Sequence, residues 1–212
     1  MKFADLIQRV GDALTFRTAM LLTGEESLAD IRRQLNRWVH AGKVIMLRRG
    51  VYTLAPLYAR TRLHPFVAAN ALRKASYVSL QSALAYYGMI PEYTPVTTSV
   101  STRRPEEVDT PLGRFLFRHV KSTLLFGFRE QQVCPGQRAL LATPEKALLD
   151  LLYLTPDSDS PDYLRELRVQ AIDVFRYAVF AEMAERTGVK KVIRAVHTLQ
   201  CVWESDEGYR EL

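Results

Sequence analysis

The chain has 212 residues, 48% hydrophobic and 25% charged, a balance that supplies folded cores and argues against disorder. It carries 29 Lys/Arg against 23 Asp/Glu, a net +6, and no apolar run approaches the ~18 residues that a membrane span requires. The excess is local: residues 1–60 hold ten bases and five acids, the other 152 residues nineteen and eighteen, so a polyanion partner is expected for the first quarter.

Phe3 to Val10 reads as a first helix with Phe3, Leu6, Ile7 and Val10 inward, ended by Gly11. Thr15 is placed to cap a second short helix through Leu22, with Arg17 near its start able to hold a phosphate. Thr23-Gly24-Glu25-Glu26 reads as a turn. The most informative stretch follows, SLADIRRQLNRWVHAGKVIMLRRGVYTL at 27–54. Ser27 is an N-cap and Asp30 an acid suited to the positive end of a helix dipole. Leu28, Ile31, Leu35, Trp38 and Val39 recur at helical spacing, which puts Ala29, Arg33, Asn36, Arg37 and His40 on the opposite face. Ala41-Gly42-Lys43 stops the helix. Val44 to Leu47 and Val51 to Leu54 then form a hairpin with Arg48-Arg49-Gly50 as its basic turn. This order is that of a winged helix-turn-helix, in which the helix enters the major groove and the hairpin touches the neighbouring backbone. The reading requires the early arginines to sit together on an outward ridge, not scattered or tied up internally.

Pro56 to Pro65 breaks the pattern as a linker, and a helix opened by Pro65 is expected through Lys74. Tyr77-Val78 is a short strand, Ser79 caps the helix SLQSALAYY, and Gly88 ends it. A β-rich section follows: Val96 to Ser101, Arg114 to Val120 with Phe115, Phe117 and His119 on one face, Phe126 to Val133, and Gln137 to Ala142, with Arg103 to Asp109 as a polar loop. Thr143-Pro144-Glu145 opens an apolar helix through Leu154. Helices are expected at 163–167, 172–186 and 189–203, and the tail ESDEGYREL as a frayed end. The division is thus 1–56 DNA-binding, 57–65 linker and 66–212 an α+β unit.

No P-loop, G-x-G-x-x-G, C-x-x-C or H-E-x-x-H occurs, and none of His40, His64, His119 and His197 is paired at helical metal spacing. Cys134 and Cys201 give no disulfide framework; a reduced cytoplasm is expected, with a single long-range disulfide as the alternative. The opening MKFADLIQRVGDAL lacks the long apolar core of a secretory signal. Glu145, Lys146 and Asp150 hint at a nuclease cluster, but Glu145 is explained as a helix N-terminal acid and Asp150 lies ~140° round the helix from it. No catalytic residue, metal or cofactor is therefore assigned. Arg103-Arg104 and Lys190-Lys191 are basic pairs expected in solvent.

The wing LRRGVYTL, the stretch YVSLQSALAYYGMIPE and the helix TPEKALLDLLYL jointly resemble the AbiEi-like antitoxins of type IV, abortive-infection toxin–antitoxin systems, over the chain to about residue 185. The resemblance implies a repressor that binds inverted repeats in its own promoter, and a second domain that counteracts a co-encoded nucleotidyltransferase-type toxin without a stable complex. Carried onto this sequence, DNA contact falls on Arg33, Asn36, Arg37 and His40, with Arg48 and Arg49 in the wing; Arg17 and Lys43 join them as phosphate contacts. One helix reads few base pairs, so two copies on the repeat are expected. The alternatives are a metabolite-responsive repressor and a metal-dependent nuclease.

Overall fold

A computed structural model describes residues 1–22, 26–91, 94–170 and 173–210. It is an α+β fold with two sheets. The first sixty residues run α1 (Phe3–Val10), β1 (Phe16–Arg17), a 3-10 turn (Thr18–Leu21), α2 (Leu28–His40), β2 (Val44–Arg48) and β3 (Val51–Leu54). Their sheet is antiparallel in the order β1-β3-β2. The helix expected from Thr15 is instead a strand and a single turn. Phe16 and Arg17 pair with Tyr52 and Val51, and the Phe16 ring stacks on Tyr52 at 5.7 Å, so a distant partner overrides local helix capping. In α1, Leu6 and Val10 are buried but Ile7 is exposed. The turn expected at Thr23-Gly24-Glu25-Glu26 falls largely outside the described residues.

α2 forms for the reasons its sequence gives. The Ser27 hydroxyl accepts from the Asp30 amide at 3.1 Å, satisfying one donor that the first turn leaves unpaired. Ile31, Leu35 and Trp38 are buried against Leu6, Phe16 and Tyr52, while Leu28 sits outside the core at 38% exposure. Gly42 ends the helix at φ +65, a conformation that glycine adopts without steric cost. Ser27→Ala is expected to cost about 1 kcal/mol, read as a lower urea midpoint with an unchanged slope.

The rest of the chain builds a six-stranded mixed sheet. In chain order the elements are α3 (Pro65–Leu72), β4 (Ser76–Val78), α4 (Leu80–Tyr86), β5 (Val96–Ser101), β6 (Glu106–Thr110), β7 (Gly113–His119), β8 (Phe128–Cys134), β9 (Gln137–Ala142), α5 (Pro144–Leu154), α6 (Pro161–Glu166), α7 (Tyr177–Thr187) and α8 (Lys190–Arg210). The strand order is β6-β7-β5-β4-β9-β8, with β4–β9 and β5–β7 parallel and the other pairs antiparallel. α5 is the central helix, packed against α4, α7 and α8 and buried almost all round, and Thr143 caps it through the Lys146 amide.

Several expectations are corrected here. Residues 106–109 lie in a strand, not a loop, because their acids find cations across the ladder: Glu107 and Asp109 meet Arg114 at 3.1 and 2.9 Å. α3 ends at Leu72, two residues short of Lys74. Ser79 precedes α4 but makes no capping bond, since its hydroxyl donates to Asp150 instead. α7 begins at Tyr177, and α8 continues through the expected frayed tail to Arg210. Lys191 is not free in solvent; its Nζ donates to the carbonyls of Thr155 (2.5 Å) and Tyr153 (3.3 Å) at the end of α5. Cys134 and Cys201 are unpaired.

Two apolar cores result. Leu6, Phe16, Leu21, Ile31, Leu35, Trp38, Val44 and Tyr52 form the smaller. The larger runs through α3, α4, α5 and the wide sheet, and it includes Leu47 and Val51 from the first hairpin. That hairpin is therefore shared between the two halves of the chain.

Candidate nucleic-acid interface

At ~100° per residue the buried stripe of α2 leaves a broad outer arc. Ala29, Arg32, Arg33, Asn36, Arg37 and His40 are all exposed on it. The arc has two sides of different electrostatic character. Arg33 and Arg37 border a hollow that also contains Glu26 and Asp30. Arg33 donates to Asp30 at 2.6 Å, and the Asp30 carboxyl is held below the usual carboxylate range, first by Ser27 and then by Arg33. On the other side, Arg32 and Asn36 share a hollow with Arg17, Met46, Arg49 and Tyr52, and among the described residues no acidic one lines it. Arg32 was not singled out in the sequence because in projection it lies beside Leu28 and Val39, the edge of the expected apolar stripe. Leu28 turns out to be exposed, so that edge belongs to the outer surface.

The hairpin supplies the other wall. Its turn is the pair Arg49-Gly50, with Arg49 at negative φ and Gly50 at φ +84, the type II pattern that calls for glycine at the second central position. Arg49 is exposed and its side chain forms no ion pair or hydrogen bond with the described residues, and the same holds for the side chains of Arg32, Asn36, Arg37 and His40. Lys43 is drawn back against the body, its Nζ 5.0 Å from the centre of the Phe3 ring. Arg17 and Arg48 turn inward. Arg17 Nη2 donates to the Ala71 carbonyl at 2.7 Å, and Arg48 Nη1 to the Leu72 carbonyl at 3.1 Å. Arg48 Nη2 also reaches Glu106 at 3.3 Å. Of the eight residues expected to contact DNA, the structure leaves the side chains of Asn36, Arg37, His40 and Arg49 without a partner among the described residues, engages Arg33 with a near neighbour, and gives Arg17, Lys43 and Arg48 internal work, so the expected outward ridge of arginines forms only in part, because helix-end carbonyls of α3 claim Arg17 and Arg48.

No protein-family model and no curated protein matches this chain. No described helix is long and apolar enough to cross a membrane.

The residues weighed as a nuclease cluster lie elsewhere, inside the larger unit. Lys146 and Asp150 are buried and form an ion pair one turn apart on α5. The other Asp150 oxygen accepts from Tyr77 (2.9 Å) and Ser79 (2.8 Å). Burial pushes the Asp150 carboxyl up, against the pull of Lys146, Ser79 and Tyr77. The Lys146 ammonium also stands 4.7 Å over the Phe126 ring. Glu145 faces a different way and accepts from the Arg176 amide at 3.0 Å. The two carboxylates do not converge, and no group of three or more His, Cys, Asp or Glu positioned to hold a metal occurs among the described residues.

Proposed function

We propose that this protein is a DNA-binding antitoxin that represses its own operon. In this reading residues 1–56 are a winged helix-turn-helix, joined through 57–65 to an antitoxin unit. The observation that carries the DNA-binding half is the hollow between α2 and the hairpin turn, lined by Arg17, Arg32, Asn36 and Arg49 and by no acid among the described residues. Element order supports it: helix, strand, helical turn, helix and hairpin, with the first strand paired to the last. α2 is then the helix laid in the major groove, where Asn36 suits an adenine edge and Arg37 a guanine edge. Arg32 and Arg49 neutralise phosphates on either side. The antitoxin half rests on the likeness of YVSLQSALAYYGMIPE and TPEKALLDLLYL to the AbiEi-like family.

The test is a titration of the full chain with two short duplexes, one taken from the segment upstream of its own reading frame and one of mixed sequence. The upstream duplex is expected to bind tighter, and equal binding would refute specific repression. Arg49→Ala is expected to reduce the slope of log K against log salt by about 0.9, the value for one phosphate contact; an unchanged slope would remove Arg49 from the interface. Co-expression with the product of the adjacent reading frame tests the second half: a growth arrest by a nucleotidyltransferase that this chain fails to relieve would refute it.

A further inference from the structure

The arginines that turn inward make a joint. β1 and β2 flank β3, and Arg17 and Arg48 both stand opposite Val51, one on each side. Their guanidinium groups donate to the consecutive carbonyls of Ala71 and Leu72 at the end of α3. Terminal helix carbonyls lack partners within their helix and carry partial negative charge, so two cations satisfy them well. Arg48 then shares the Glu106 carboxylate with Arg73. Arg73 is 8% exposed, donates to the Arg104 carbonyl at 2.8 Å and lies 4.7 Å over the Phe117 ring, so its own position is fixed. Beneath them Leu47 and Val51 enter the larger core. Leu47, Arg48 and Val51 lie within two residues of the turn that carries Arg49, Arg17 pairs beside it on β1, and every hydrogen-bonded anchor point belongs to the unit that begins at residue 66.

Resting on the DNA-binding reading above, we propose that Glu106 and Arg73 are positioning residues for the wing: they hold Arg48, and through it the Arg49 turn, at a fixed spacing from α2, so that affinity for a duplex is set from the unit that begins at residue 66. The joint is stiff because an ion triad, two capped carbonyls and two buried side chains act at one place. A movement of α3 or β6 against α2 therefore shifts Arg49 relative to Asn36 and alters the fit to the groove.

Charge alone predicts the opposite result, which makes the test sharp. Removing a carboxylate beside a DNA-binding surface strengthens binding if only electrostatics matter. The joint predicts weaker binding. Glu106→Ala in the full chain is expected to lower affinity for the upstream duplex by about three- to tenfold. In an Arg49→Ala background the same change is expected to do little, because the group being positioned is gone. Amide hydrogen exchange at residues 49–51 is expected to accelerate in the Glu106 variant. Should the alanine variant unfold, Glu106→Gln replaces it in the same cycle. Unchanged or tighter binding overturns the proposal, and so does an equal loss with and without Arg49. A wild-type chain that binds neither duplex overturns the DNA-binding reading instead. The exchange measurement still reads the joint in that case, and unchanged exchange refutes it.

Discussion

Replacing Asp150 by alanine is expected to cost roughly 3–5 kcal/mol of stability, enough to unfold much of the population of an ordinary domain. The reason is the ammonium left behind. Lys146 is fully buried, and with the carboxylate gone its charge faces Phe126 and Tyr77 with no counterion among the described residues. Tyr77 and Ser79 lose their acceptor at the same moment. Lys146→Met is expected to be harmful for the mirror-image reason, since a buried carboxylate then stands unneutralised. The double variant Lys146→Met with Asp150→Leu is expected to lie well above the sum of the singles, because an apolar pair of similar volume needs no partner. Denaturant unfolding of the four chains decides it. A loss below about 1 kcal/mol in Asp150→Ala would mean that water reaches the pair.

Asn36→Ala is expected to weaken binding to the preferred duplex by about 1–3 kcal/mol and to leave binding to a mixed duplex nearly unchanged. Its amide stands in the hollow beside Arg32 and Arg49, which no acid lines among the described residues, and the side chain is not engaged by any of them. Arg33→Ala is expected to cost less, since its guanidinium must first leave Asp30 before it can serve a base. Competition binding against both duplexes separates the cases. An Asn36→Ala loss of equal size on every sequence would show that the residue positions backbone and reads no base.

The joint has its own dependence on pH. The Glu106 carboxyl is held below the ordinary carboxylate range, chiefly by the hydrogen bond from Arg73. A lowered folded-state value means that the ionised form stabilises the fold above the unfolded value, and that the contribution fades only as pH falls through the lowered one. The wing is thus expected to stay anchored through mild acid.

What could be read from residues alone depended on where each signal lay. α2 announced itself because cap, stripe and stop are local: Ser27, the Leu35 and Trp38 spacing, and Gly42 all act within one element. α5 did so through Thr143 and Pro144. β1 was missed because two residues make a strand only when Tyr52 and Val51 come round to pair with them. β6 reads as a loop in the sequence because its acids suggest a solvated stretch, whereas Arg48 and Arg73 reach it from earlier elements and Arg114 only once β7 folds back alongside. The same blindness applied to Arg17 and Arg48. Their charge was legible, but the carbonyls that claim them belong to a helix whose place beside the hairpin only tertiary structure fixes. Asp150 was discounted as a metal ligand from its angle on the helix, and its partners Tyr77 and Ser79 were out of reach of any periodicity argument.

The outermost strand β6 has a consequence for how copies of this chain can meet. An unpaired sheet border offers free amides and carbonyls to any passing strand. Here Pro105 and Pro111 bracket the five residues Glu106–Thr110 and cut the border short, since neither can donate to a ladder. Glu107 and Asp109 keep charged side chains, held against Arg114, along what remains of it. Fibre-like stacking along this margin is thereby discouraged.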